Sequence, residues 1–351
     1  MEFVKLEGRP FKGKELELLK DFLKRNDLDY DQGIEYSVCL LDENYQILAT
    51  GSAEQNVLKC IAVDKSVRGS GLSGSVISCL TQYEFENGRS HILMYTKPEN
   101  REMFEDLGFY TVLITDDVLF MENRKKGFEE FVDRLISESP AEALKPGVAV
   151  GSIVANCNPF TYGHRYLVEQ ALTCCDYVHV LVLADNRSSF GAEERFFMVR
   201  EGIKDLPRAI VHQAADFVIS AATFPTYFMK EKVRRERACC HLDLELFGRR
   251  IAPALKITKR FVGTEPVCAV TGHYNEEMKK ILPGYGISVM EIERKGFKGE
   301  AISASEVRKR YENGDLEGIK GLVPETTLEY LEKKKGTGGL RVKPVSKASD
   351  C

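Results

Sequence analysis

Apolar positions in the first third of the chain switch repeatedly between two periods. Leu16, Leu19, Phe22 and Leu23 recur at helical spacing, which predicts a helix over residues 14–23. Strand-like runs follow at Tyr36–Leu41 and 46–52, joined by the turn-forming Asp42-Glu43-Asn44. A third run, Val57–Val63, leads through a glycine cluster into a helix over 76–85. A strand over 91–95, a helix over 100–107 and two strands over 109–114 and 118–121 complete an α+β domain, residues 1–125.

Phe128, Phe131, Val132, Leu135 and Ile136 then share one face of a helix over 126–139. Pro140 and Pro146 interrupt regular structure, so 126–146 reads as a linker. From Val148 onward, apolar strands over 148–155, 178–183, 209–213, 260–263 and 287–292 alternate with helices. The helices start at Gly163 and Glu193 and cover 232–255 and 273–282. This alternation predicts an α/β domain with a doubly wound parallel sheet, residues 147–332. The basic, glycine-bearing tail, 333–351, is expected to be disordered.

Composition narrows the function. At 43% hydrophobic and 29% charged, 351 residues suit two globular domains. The net charge of −4 argues against a nucleic-acid partner bound by phosphate neutralisation. The N-terminus has no apolar leader core, and no window nears the roughly 18 apolar residues of a membrane span, so a cytoplasmic protein without a membrane partner is expected. The ten cysteines include no C-x-x-C pair, which favours buried thiols in a reducing compartment over a metal site or a disulfide framework.

The chemistry concentrates in Gly151-Ser-Ile-Val-Ala-Asn-Cys-Asn158-Pro159-Phe160-Thr161-Tyr-Gly163-His164. A strand ends, a loop turns and a helix opens, and unpaired amides at such a helix start suit a phosphate. Gly163 allows close approach of a ligand to the backbone, Thr161 offers a hydroxyl, and His164 offers a ring N–H. A second segment, Ile302-Ser303-Ala-Ser305-Glu-Val-Arg308, places two hydroxyls and a guanidinium around another helix start. Ordinary helix capping explains each segment taken singly, whereas their co-occurrence in one α/β domain predicts a shared phosphate site. Between them, Gly263-Thr264-Glu265 ends a strand where ribose or adenine would sit; a plain turn is the alternative.

The first segment resembles the T-x-G-H signature of the nucleotidyltransferase superfamily, and the second its I-S-x-S-x-x-R signature. With NCNPFTYGHRYLVEQA, ATFPTYFMKE (222–231), RFVGTEP and HYNEEM (273–278), the chain from about Phe22 to Tyr330 is similar to the citrate lyase ligase family. That resemblance implies a Rossmann-like catalytic domain and an acid–thiol ligase. Such an enzyme uses ATP, with Mg²⁺ carried on its phosphates, to acetylate a coenzyme-A-like prosthetic group on the acyl carrier subunit of citrate lyase. Acetate would attack the α-phosphorus, pyrophosphate would leave, and the carrier thiol would then displace AMP from acetyl-adenylate. The resemblance gives His164 and Thr161 catalytic roles. It assigns ATP binding to Asn158, Pro159, Phe160, Gly163, Gly263, Thr264, Glu265, Ser303, Ser305 and Arg308, with Lys230 a further candidate phosphate contact.

Arg68-Gly69-Ser70-Gly71-Leu72-Ser73-Gly74, between a strand and a helix, resembles the pyrophosphate loop of GCN5-related N-acetyltransferases. Arg68, Gly69, Ser70, Gly71, Ser73 and Gly74 would clasp the coenzyme-A-like arm. Ser73 stands where that family carries Gly or Ala, and Phe104 stands where its members often carry a proton-donating tyrosine. The implied role is arm binding rather than acetyl transfer. Two other readings share these motifs: a nucleotidyltransferase of cofactor biosynthesis, which would not depend on acetate, and an acyl-coenzyme A-binding regulatory protein, which would not turn over ATP.

Overall fold

The computed structural model describes residues 3–31, 33–184, 188–218, 227–229, 232–265, 269–297 and 299–336. The chain divides into two compact units, Met1–Glu130 with Thr223–Leu242, and Phe131–Ala222 with Asp243–Cys351. The boundary falls inside the helix expected as a linker, and 223–242, expected in the second domain, group with the first unit.

The first unit follows the expected α+β order: β1 (Val4–Gly8), α1 (Gly13–Arg25), β2 (Tyr36–Leu41), β3 (Ile47–Glu54), β4 (Val57–Val63), α2 (Leu72–Glu86), β5 (Leu93–Thr96), α3 (Arg101–Asp106), β6 (Tyr110–Ile114) and β7 (Leu119–Glu122). Strand β1 escaped the pattern because it alternates lysine and glutamate with mostly exposed apolar residues at a sheet edge. The seven-stranded sheet runs β1-β2-β3-β4-β5-β7-β6. Its pairs are antiparallel except β4–β5, which are parallel and paired only at Val57↔Leu93 and Leu58↔Met94. Val38, Leu40, Leu58, Val76, Leu80, Met94 and Phe104 share the core that seats α2 on the sheet. Gly51 permits that seat, since a Cβ there would lie 2.6 Å from Val76 Cγ1.

Next come α4 (Gly127–Ser137), β8 (Val150–Ala155), α5 (Tyr162–Cys174), β9 (Tyr177–Val182), α6 (Ala192–Gly202), β10 (Ala209–Gln213) and α7 (Lys232–Leu246). The helix expected over 232–255 is broken: α7 passes into a π-helical turn, Phe247–Ile251, and the short α8 (Ala252–Ala254). Then follow β11 (Lys259–Gly263), α9 (Ala269–Ile281), β12 (Ser288–Ile292), the two-residue strands β13 (Gly296–Phe297) and β14 (Glu300–Ala301), α10 (Ala304–Glu312) and α11 (Glu325–Gly336). Residues 333–336, expected within a disordered tail, close that last helix.

The second unit's sheet is parallel, in the order β10-β9-β8-β11-β12. Chain order reverses between β8 and β11, and ligands of doubly wound sheets sit at the carboxyl ends of the strands on either side of such a reversal. One face carries Ile153, Val178, Val180, Val182 and Phe261, packed with Val168, Met198, Val199, Val307 and Leu331. The other face is less uniform. His179 and His212, both fully buried, join at 2.9 Å, and His212 Nδ1 meets Glu138 Oε2 at 2.6 Å. Six of the described cysteines are buried and none is disulfide-bonded, whereas Cys174 is exposed and departs from the expected pattern. No helix among the described residues is long and apolar enough to cross a membrane.

Candidate active site

The loops that follow β8 and β11 flank the point of strand-order reversal. At the first, Thr161 is the N-cap of α5, and it forms a reciprocal box with His164. The Thr161 amide donates to His164 Nδ1 at 3.1 Å, and the His164 amide donates to Thr161 Oγ1 at 3.4 Å. An amide can only donate, so Nδ1 is an acceptor and the neutral ring carries its hydrogen on Nε2. The Thr161 hydroxyl, 2.9 Å from the same Nδ1, must then donate to it. Part of the His164 surface stays accessible, yet burial first and the Arg294 charge second push its pKa down to about 4. At neutral pH the group is a neutral N–H donor.

These bonds correct the expected role of Thr161. It is buried and its single hydroxyl hydrogen is committed to the imidazole, so it positions His164 instead of donating to a phosphate. Phe160 is also corrected. It has no exposed surface, stacks at 5.8 Å on the His164 ring and packs where Gly202 lacks a side chain, so it supports the loop from below. Pro159 is buried beside it. Asn158 is nearly buried, and its side-chain oxygen accepts from the Phe190 amide at 3.1 Å.

The second segment reaches the first directly. Arg308 Nη1 donates to the Asn158 carbonyl at 2.7 Å, across 150 positions of sequence. A Cβ on Gly163 would lie 3.5 Å from the Ile302 carbonyl, so the start of α5 packs against the strand-to-helix turn that precedes α10. Ser303 is the N-cap of α10 but makes no capping bond through its side chain, and Ser305 Oγ accepts from Arg308 Nη2 at 3.0 Å. Helix start, hydroxyls and guanidinium therefore stand beside the His164 loop, a donor set that matches a polyphosphate.

The β11 turn is tied differently from expectation. Thr264 extends the ladder by donating its amide to the Ile292 carbonyl at 2.9 Å. Glu265 is ion-paired with Arg294, whose Nε also donates to the Thr264 carbonyl at 2.7 Å. A Cβ on Gly263 would meet only Arg294 Cγ, at 3.8 Å, so local crowding does not require glycine there. Lys230 lies outside the described residues.

Sequence reasoning missed two arginines. Arg294 follows β12, and its charge acts on the His164 ring. Arg195, fully buried on α6, donates to the carbonyls of Phe190 at 2.9 Å, Asn156 at 2.8 Å and Leu183 at 2.7 Å, and to Asn156 Oδ1 at 2.7 Å. It staples the loops after β8 and β9 together beneath the candidate site.

In the first unit, Arg68, Gly69, Ser70 and Gly71 are exposed between a short 3-10 turn, Lys65–Val67, and α2. Gly69 and Gly71 both have φ of +80°, which side-chain-bearing residues rarely adopt. Added Cβ atoms at either glycine would meet nothing within 4 Å, so it is the backbone conformation and not crowding that favours glycine there. Ser73 and Gly74 lie in the first turn of α2, where a Cβ added to Gly74 would lie 3.4 Å from Leu107 Cδ2.

Comparison with known proteins is consistent with this arrangement. Residues 150–331 match the model of the citrate lyase ligase C-terminal domain. The citrate (pro-3S)-lyase ligase of Haemophilus influenzae is 40% identical over 327 residues, covering 91% of this chain and 96% of that protein. The chain belongs to the citrate lyase ligase family. The ligase is also 37% identical over 332 residues to the citrate (pro-3S)-lyase ligase of Klebsiella pneumoniae, covering 91% of this chain and 95% of that protein. The crystal structure of Escherichia coli ElaA aligns with 35% of the ligase and 99% of its own chain, at 11% identity and a TM-score of 0.30. Family membership makes this chain an enzyme, a ligase named for citrate lyase.

Proposed function

We propose that the enzyme activates acetate with ATP as acetyl-adenylate and transfers the acetyl group to the thiol of a coenzyme-A-like prosthetic group on the acyl carrier subunit of citrate lyase. An acetate oxygen bonds to the α-phosphorus as the bond to pyrophosphate breaks. The carrier sulfur then bonds to the acetyl carbon, its proton is lost, and AMP departs. Neither step needs a covalent intermediate on the enzyme, so catalysis is positioning and charge stabilisation.

His164 donates its Nε2 hydrogen to a non-bridging α-phosphate oxygen, where negative charge grows in the transition state. Arg308, Ser303, Ser305 and the amides opening α10 hold the β- and γ-phosphates. Mg²⁺ arrives on the triphosphate and offsets its charge. Thr264 and Glu265 border the nucleoside end. Arg68, Gly69, Ser70, Gly71, Ser73 and Gly74 take the pyrophosphate of the prosthetic arm. Buried Phe104 offers no acid for acetyl transfer within the first unit, so arm binding is assigned to it instead.

The observation that carries this reading is the Arg308–Asn158 bond, which joins two phosphate-type turns at one end of the parallel sheet. Radiolabelled pyrophosphate exchange into ATP tests the first step. Exchange should require acetate and fall by about 10²–10³ in His164→Ala, whereas exchange without any carboxylic acid would overturn the assignment.

A further inference from the structure

Helix α11 reaches the phosphate loop through one carboxylate. Glu194 is the third residue of α6, where a capping glutamate ordinarily meets the amide that precedes its helix. It does so here: Oε2 accepts from the Gly191 amide at 2.8 Å. Its Oε1 has two further donors, the Tyr330 hydroxyl and the Lys334 ammonium, both at 2.5 Å. Tyr330 and Lys334 stand four residues apart on α11 and so share a face. Burial raises the Glu194 pKa, but the bonds from Lys334, Tyr330 and the Gly191 amide outweigh it and hold the carboxyl below its usual range. Capping of α6 explains the first bond and leaves the two from α11 without a reason.

The residue beside Gly191 carries this anchorage onward. Phe190 donates its amide to Asn158 Oδ1 at 3.1 Å, and its carbonyl accepts from Arg195 Nε at 2.9 Å, so both of its backbone groups are committed. Its buried ring lies 5.2 Å from Lys334 Nζ and 5.6 Å from the Tyr311 ring of α10. Asn158 in turn offers its carbonyl to Arg308 Nη1 at 2.7 Å. A continuous run of bonds therefore joins Tyr330 and Lys334 to Arg308, by way of Glu194, Gly191, Phe190 and Asn158. A satisfied network of this kind holds its members in one arrangement.

We propose that Tyr330, together with Lys334, is a positioning residue for ATP: through Glu194, Phe190 and Asn158 it sets the direction in which Arg308 presents its guanidinium to the β- and γ-phosphates. The inference rests on Arg308 being a phosphate ligand, as assigned above. It gives α11 a part in nucleotide binding beyond its place in the core, where Leu331 packs.

Steady-state kinetics of acetate-dependent pyrophosphate exchange tests it on the full chain, with Tyr330→Phe as the variant. That change deletes one hydroxyl and keeps the ring against Phe197. KM for ATP should rise about threefold to tenfold, a range typical of coupled members of one network, with kcat within about twofold of wild type. In an Arg308→Gln background the same change should raise KM no further, because its effect passes through Arg308. Hydrogen exchange on folded Tyr330→Phe gives a second reading. The Phe190 and Gly191 amides should exchange faster, while those of β8 and β9 keep their wild-type rates. An unchanged KM, an equal rise in both backgrounds, or faster exchange spread over the whole sheet overturns the positioning role. If Arg308→Gln alone leaves KM unchanged, the phosphate role of Arg308 falls and this inference falls with it. If Arg308→Gln raises KM and Tyr330→Phe does not, the phosphate role stands and only the positioning role is lost.

Discussion

Thr161 and His164 hold each other in place: each backbone amide donates to the other residue's side chain, at 3.1 and 3.4 Å. The pair caps α5 and fixes the imidazole tautomer with the same bonds. Thr161→Val keeps the shape and the amide bond to Nδ1, and removes the hydroxyl that caps α5 and donates to the ring. It should cost about 1 kcal/mol of stability through the lost cap. Acetate-dependent pyrophosphate exchange should fall by about 10²–10³ in His164→Ala, the usual loss for a transition-state donor. Thr161→Val should fall less, and the double variant no further than His164→Ala, because Thr161 acts through the ring. Additive losses would show that Thr161 contacts the substrate itself. Thr161→Ser should restore most of the activity.

The depressed pKa of His164 fixes the sign of a pH effect. An unfolded chain takes up this proton near 6.5, the native protein only near 4. Stability from the site is therefore complete above pH 6.5 and is lost as pH falls towards 4. His179, pushed down to about 3 by burial and then by His212, acts in the same direction. Proton NMR of the imidazoles should show His164 untitrated down to about pH 5. A midpoint near 6.5 would mean that the ring is solvated like a free imidazole and that burial does not depress its pKa.

What was legible in the sequence follows from period and punctuation. The parallel strands are short apolar runs bounded by turns, and Gly163 and Gly71 mark helix starts, so both loops could be placed before any coordinates. Arg195 was illegible. In the run Glu193-Glu194-Arg195 it looks like a solvated helical residue, and only the fold shows that it faces inward to backbone carbonyls of separate loops. Strand β1 was hidden by its lysine and glutamates, and the partners of Glu194 on α11 lie more than a hundred residues away in sequence. Long-range pairing leaves no local periodicity.

Arg195→Lys checks the staple. A lysine brings three donors on a flexible stem and cannot reproduce the planar fork that serves Phe190, Asn156 and Leu183 together. Each buried carbonyl left unpaired costs about 1–3 kcal/mol. The melting temperature should fall, and KM for ATP should rise more than kcat falls, as the loop that backs the nucleotide loosens. A variant with wild-type melting and wild-type KM would remove Arg195 from the site's support.

Arg308→Gln separates the phosphate role from the structural one. Glutamine can still donate to the Asn158 carbonyl but carries no charge. If Arg308 only ties the two segments together, the ATP affinity of Arg308→Gln will stay close to wild type. As a phosphate ligand, its loss should raise KM for ATP by about tenfold or more, the scale of a charge-assisted hydrogen bond. Thermal unfolding should change little by comparison. Isothermal binding of ATP in the absence of acetate reads this directly.

Arg294 is bonded to Glu265 and the Thr264 carbonyl, and its charge also lowers the pKa of the His164 ring. Removing the guanidinium should therefore raise the His164 midpoint, though not back to 6.5, because burial is the larger cause of the depression. Arg294→Gln keeps hydrogen-bonding capacity for the Thr264 carbonyl while deleting the charge, so imidazole NMR of that variant isolates the electrostatic effect. An upward shift together with weaker ATP binding would place Arg294 within reach of the triphosphate as well as the imidazole. An upward shift with unchanged ATP binding would confine Arg294 to bracing the β11 turn. An unshifted midpoint would show that burial alone keeps His164 neutral.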